Sequence, residues 1–152
     1  MSIFGAIDTS ASALTASRVQ MDVTAENLAN AQTTRTADGG PYQRKTVVLR
    51  QAAGADFGAT LAGAMERGGV SGGRTGGSGV EVAGITEHPA PPRLVYDPGH
   101  PDANAEGYVE MPAVDTVVEM VDLIAASRAY EANVTAMQAS KQMFAKTLEL
   151  LR

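Results

Sequence analysis

Residues 127–152 read SRAYEANVTAMQASKQMFAKTLELLR, a run with neither glycine nor proline and rich in strong helix formers. Followed backwards to Asp115, the segment places Met120, Leu123, Ser127, Tyr130, Val134, Met137, Lys141, Phe144, Leu148 and Leu151 at alternating steps of three and four. This is a heptad seam sustained for more than four repeats, and it predicts one long helix with a second helix laid against it. Asp115 stands where a cap is needed, acids crowd the first turns and the bases Lys141, Lys146 and Arg152 sit in the last ones, as a helix dipole prefers. On that pattern Glu119 and Asp122 face solvent and only offset the dipole. At about 1.5 Å per residue the rod spans roughly 57 Å, more than the width of a compact chain with a radius of gyration of about 15 Å. Lys141 is the odd member of the seam: its stem crosses the interface, or its charge sets register or partner number.

A second apolar strip, Val114, Val117, Val118, Val121 and Ile124, runs beside the seam in the first half of this helix. One partner helix covers one strip, not both. The beginning of the chain supplies a candidate partner, because Ile7, Leu14, Met21 and Leu28 recur every seven residues with the small Ser10, Ser17 and Thr24 three positions after the first three. Small residues there let a partner backbone come close. The same segment is rich in Ser and Thr, which compete for backbone hydrogen bonds, so alone in water it is a marginal helix. Apolar surface therefore exceeds what one intramolecular pair hides, and the ends are expected to finish folding among copies or relatives of this chain.

Between the helices the character changes. Gly39, Gly40 and Pro41 stop the first helix near Ala31. Strand composition appears at 46–50, 79–85, 93–97 and 108–111, separated by turn-forming sequences at 88–92, 97–102 and 104–107. Phe57, Leu61 and Met65 are spaced for a short helix, and the glycine-rich 67–79 predicts a flexible loop. The expected organisation is a helix over 1–31, a β-rich middle over 32–111 and a helix over 112–152. The fold class is α+β, mainly α, with the two long helices pairing as a coiled coil.

Composition narrows the function. With 12 Lys+Arg against 17 Asp+Glu the net charge is −5, which disfavours nucleic acid and anionic lipid as partners. No apolar run approaches the length of a membrane span, and the first twenty residues lack the basic lead and apolar core of a secretory signal, so these rules alone give a cytoplasmic address. The absence of cysteine excludes disulfides, thiolate metal sites and a Cys nucleophile.

Candidate chemistry is sparse. The glycine cluster is not followed by the Gly-Lys-Ser/Thr of a phosphate loop. Asp97, His100 and Asp102 in DPGHPD supply three metal-ligand types, but on a Pro- and Gly-rich turn with no fourth ligand near they describe an ordinary turn. The second histidine, His88, lies beside Pro89, and no serine sits in a GxSxG elbow. Tyr130, Met137 and Phe144 at seven-residue intervals are core packing rather than a cofactor box. Neither catalytic residues, cofactor, metal site nor small-molecule substrate is expected.

Certain words in the sequence carry a resemblance. NLANAQT at Asn27–Thr33, with Asn27, Asn30 and Thr33 as its motif residues, together with GGPYQRK at 39–45, RLVYDPGHPDANAEGYVEMP at 93–112 and VVEMVDLIAASRAYEANV at 117–134, resembles the axial proteins of the bacterial flagellar rod and hook. The resemblance implies a structural subunit of the rod, the driveshaft between the MS ring and export gate and the distal rod and hook. It implies partners among copies of the chain and other rod proteins, terminal helices lining the tube and a β-rich part facing outward. It also implies passage through the flagellar type III apparatus without a cleaved signal, which replaces the cytoplasmic address. The expected packing positions are Ile7, Leu14, Met21, Leu28, Val117, Val121, Leu123, Ile124, Tyr130, Val134, Met137, Phe144, Leu148 and Leu151. Two other classes remain open: a helical adaptor or export chaperone using the same seam, and a metal-dependent hydrolase using Asp97, His100 and Asp102.

Overall fold

The computed structural model of the chain describes residues 3–37, 39–52 and 79–150. In chain order the elements are helix α1 (Ile3–Ala29), strands β1 (Arg44–Gln51), β2 (Val80–His88), β3 (Arg93–Tyr96) and β4 (Tyr108–Met111), and helix α2 (Thr116–Leu150). The predicted short helix at Phe57, Leu61 and Met65, the glycine-rich 67–79 except Gly79, and Leu151 lie outside the described residues.

Helix α2 begins where Asp115 caps it: the Val117 and Val118 amides donate to the Asp115 carboxylate at 2.9 and 3.4 Å, and the Glu119 amide donates to the Asp115 carbonyl at 3.0 Å. Pro112 to Val114 therefore precede the helix. Helix α1 holds its Ser and Thr residues by turning their hydroxyls inward. Thr9 donates to the Gly5 carbonyl, Ser12 to Thr9 and Thr15 to Ala11 at 2.8 to 3.2 Å, so the competition expected of these residues is met by back-bonding within the helix. The helix ends through a tight turn in which the Ala31 amide donates to Leu28 at 3.3 Å and the Thr33 amide to Asn30 at 3.0 Å.

The two helices form the most extensive contact between elements and run antiparallel, Ala31 clustering with Val114 while Asn27 meets Glu119. Small side chains make this contact. Buried on α1 are Ala16, Ser17, Val23, Thr24 and Asn27, with Ala31 just after it; on α2 they are Glu119, Ala126 and Ser140, with Leu123, Ser127, Asn133, Val134 and Met137 half-buried. Of the expected seam, Leu123, Ser127, Val134 and Met137 are half-buried while Met120, Tyr130, Lys141, Phe144 and Leu148 are exposed; the more deeply buried row is Glu119, Ala126 and Ser140, with Asn133 half-buried, one residue before the expected Met120, Ser127, Lys141 and Val134. The shift has a steric reason. Backbones approach closely only where both helices present short side chains, and the bulky residues then flank the contact rather than fill it.

The middle of the chain forms two separate antiparallel pairs, β1 with β2 and β3 with β4. In the first, Val48 faces Gly84 and Leu49 faces Val82, which leaves Ala83 as a bulged residue. This pair packs on α1, where the Val80 amide donates to Ser12 Oγ at 3.1 Å, and a Cβ at Gly79 would collide with the Ser12 side chain. In the second, Val95 faces the fully buried Val109, and Tyr96 meets Tyr108 edge to face with ring centroids 5.3 Å apart. The β3–β4 loop is tied to the connector after α1 by a hydrogen bond from Thr34 Oγ1 to Asp102 at 2.8 Å.

Gly107 closes that loop with φ of +84°, and a Cβ there would lie 2.9 Å from Tyr96 Cε2. Gly107→Ala is therefore expected to destabilise the chain by roughly 1–3 kcal/mol through backbone strain and displacement of the Tyr pair, measured by urea unfolding followed by tyrosine fluorescence.

Candidate functional site

Where α1, β1 and α2 converge, the small-residue contact is interrupted by polar groups that are almost wholly enclosed. Asn27 and Glu119 are each 1% exposed. The Asn27 amide nitrogen donates to the Lys45 carbonyl at 2.8 Å and to Glu119 Oε2 at 3.0 Å, while its oxygen accepts from the Tyr42 hydroxyl and the Lys45 amide, both at 2.9 Å. One side chain thus serves both backbone groups of Lys45 as a neighbouring strand would, and docks β1 on α1. Arg44 closes the other side of Glu119: its Nε lies 2.6 Å from Glu119 Oε1, and its Nη2 reaches Asp122 at 3.4 Å. Lys45 Nζ, 2.6 Å from Glu26, stands 5.8 Å from the centre of the Tyr42 ring, and its hydrogen bond to Glu26 raises its pKa. No described buried side-chain nitrogen or oxygen lacks a partner.

The placement of Glu119 corrects the sequence expectation. It does not face solvent; four residues before Leu123 and seven before Ala126, it shares their face and is turned onto α1, where Asn27 and Arg44 take up its two oxygens. Only Asp122 behaves as the outer, half-solvated acid. The signal in the sequence was that heptad spacing. Tyr42 and Arg44, contributed by the connector and by β1, carried no such signal because their partners are distant in sequence.

The other expected residues fall into groups. Ile7, Leu14, Met21, Leu28, Leu123, Val134 and Met137 are half-buried along the edges of the helix contact. Val117, Val121, Ile124, Tyr130, Phe144 and Leu148 are exposed, with Val117, Val121 and Ile124 at 62, 60 and 55%. Asn30 and Thr33 build the turn after α1, Thr33 Oγ1 donating to Asn30 Oδ1 at 3.1 Å and the Asn30 amide nitrogen to the Glu26 carbonyl at 2.9 Å. In DPGHPD the side chains serve the turn: Asp97 accepts from the Gly99 amide, His100 Nδ1 from the Asp102 amide, and Asp102 from Thr34. Among the described residues no group of three or more His, Cys, Asp or Glu is arranged to hold a metal, and no helix is long and apolar enough to cross a membrane.

What the arrangement does is mechanical: it joins two helices and a strand and leaves an apolar strip of α2 outside. Comparison with known proteins gives it a class. Residues 7–35 match the family described as flagella basal body rod protein, and residues 105–150 match the flagellar basal body rod FlgEFG protein C-terminal family. Proteins named flagellar basal-body rod protein FlgC are similar over nearly their whole length: that of Bacillus subtilis is 51% identical, with 99% of each chain covered. Those of Escherichia coli O6:H1 and Borreliella burgdorferi are 43% and 40% identical, covering 99% and 100% of this chain and 98% and 99% of their own. This chain belongs to the FlgC family of flagellar basal-body rod proteins.

Two outcomes follow for the enclosed cluster. Glu119→Ala is expected to cost about 2–4 kcal/mol in urea unfolding, because Asn27 and Arg44 lose a shared acceptor, whereas Asp122→Ala costs less than about 1 kcal/mol. Burial, and secondarily the charge of Glu26, raise the Tyr42 pKa above 10.0. The neutral hydroxyl is the form that fits, so its contribution is complete below about pH 10 and is lost as pH rises through the higher folded-state value. Tyr42→Phe, less stable at neutral pH, is expected to lose less stability between about pH 10 and 12 than the parent does in the same unfolding assay.

Proposed function

We propose that the chain is a non-enzymatic structural subunit of the flagellar basal-body rod that assembles through its two terminal helices. Membership of the FlgC family supports the rod role. The observation that carries the helix assignment is the strip Val117, Val121 and Ile124, more than half exposed on the helix whose opposite face is already occupied by α1. Apolar surface so continuous is stable in water only when another molecule covers it.

Several finer parts belong to the same proposal. The helices, 1–31 and 112–152, act as one axial unit and pair as a coiled coil, and the residues between them form an outward β-rich unit. Ile7, Leu14, Met21, Leu28, Leu123, Tyr130, Val134, Met137, Phe144, Leu148 and Leu151 complete the packing surfaces begun by the strip. The partners are copies of this chain and other rod proteins, on the side of the MS ring and export gate. The chain reaches them through the flagellar type III apparatus without a cleaved signal. A contact made of small side chains and one polar cluster suits that route, since it releases the helices at low cost and forms again without disulfides.

Val121→Asp tests the proposal. Its side chain is exposed, so the isolated chain is expected to keep its unfolding free energy within about 0.5 kcal/mol, while cells carrying the variant lose swimming and isolated basal bodies lack the protein. Normal motility with this variant would remove the strip from the assembly surface.

A further inference from the structure

The rows at and beside the helix contact repeat every seven residues. On α1 one row is Ser10, Ser17 and Thr24, continued by Ala31 just after the helix, and another is Ile7, Leu14, Met21 and Leu28; on α2 a row is the half-buried Leu123 and Met137 with the more exposed Tyr130 and Phe144. A slide of α1 by one heptad, about 10 Å, exchanges small for small and large for large along each of them. Packing therefore distinguishes the observed alignment poorly from its neighbour. One row does not repeat: Asn27 on α1 meets Glu119 on α2, and heptad spacing then sets Gln20 toward Ala126 and Ala13 toward Asn133. Only one alignment brings Asn27 to Glu119.

We infer that the Asn27–Glu119–Arg44 cluster is the register-setting device of the helix pair, selecting the observed alignment from heptad-shifted ones that the apolar rows would accept. A slide in one direction brings Gln20 to Glu119 and carries Asn27 past the start of α2 to Pro112; a slide in the other brings Asn27 to Ala126 and leaves Glu119 beyond the end of α1. Gln20 is longer by one methylene, and it brings neither the Tyr42 hydroxyl nor the Lys45 backbone, which bond Asn27. Glu119, 1% exposed, would lose its fitted donor, and the freed Asn27 would lose four hydrogen bonds at once. The cluster is thus costly in every alignment but one, which is how buried polar groups fix register in paired helices. The inference concerns the pairing inside one chain and holds whether or not the exposed strip is the assembly surface.

The absence of cysteine allows a direct test with the purified full-length chain. Gln20→Cys with Ala126→Cys, one heptad along from the Asn27–Glu119 contact, reports the observed alignment; Ala13→Cys with Ala126→Cys reports the shifted one. Mild oxidation followed by non-reducing electrophoresis reads the intramolecular crosslink. In the parent the first pair is expected to link about tenfold faster than the second, and in Asn27→Leu/Glu119→Leu the two rates are expected to come within about twofold. Equal linking of both pairs in the parent would overturn the inference. So would an unchanged tenfold difference in the double variant, or the loss of both crosslinks there, which would make the cluster a requirement for pairing rather than for alignment.

Discussion

The fold rests on one buried amide. Asn27 spends every hydrogen-bonding capacity it has on groups from three different parts of the chain, the Tyr42 hydroxyl, the Lys45 backbone and the Glu119 carboxylate. Around it there is little else to choose the arrangement, because the buried apolar residues are mostly alanine and valine and no large aliphatic side chain is fully enclosed among the described residues. Transfer of small side chains out of water gives cohesion with little preference for one geometry, whereas a carboxylate and an amide kept from water tolerate few errors in position. Apolar contact supplies attraction and the polar group supplies uniqueness.

This division of labour explains a structure whose large apolar residues lie mostly outside. Val117, Val121, Ile124 and Leu148 on α2 and Leu94 and Tyr96 on β3 are exposed, while Ala16, Ser17, Ala126 and Ser140 are buried. For a solitary globular protein that distribution would be inverted. In a member of a rod-protein family that distribution leaves the helix pair held together by what is short and the long side chains outside it.

How much was legible before the structure depended on the range of each interaction. The cap at Asp115 and the end of α1 near Ala31 arise from contacts within a few residues, and the four strands, though paired at longer range, carry local strand propensity between turn-forming sequences, so composition located all of them. The strands came out longer at β1 and β2 because pairing extends them to Arg44 and His88, beyond the residues with high strand propensity. The face of α2 turned toward α1 was legible only in half, since Leu123 and Met137 announce themselves by size and the Glu119, Ala126, Asn133 and Ser140 row does not. Least visible was the cluster at Asn27. Asn27 is separated from Tyr42 by 15 positions and from Glu119 by 92, and a glutamate in the first turn of a helix has a sufficient local explanation in the dipole. Asn27 itself stood in a recognisable motif, yet nothing in its neighbours disclosed that the amide would replace a missing strand.

The attachment of the β1–β2 pair has a consequence for bending. It is fastened to α1 twice, through Lys45 at Asn27 and through Val80 at Ser12, two points separated by fifteen residues or about 22 Å along the helix. A strand pair pinned once would swivel about its pin. Pinned twice, it lies along the helix as a splint, so that a sideways push on the pair is delivered to α1 as a couple rather than absorbed at a joint.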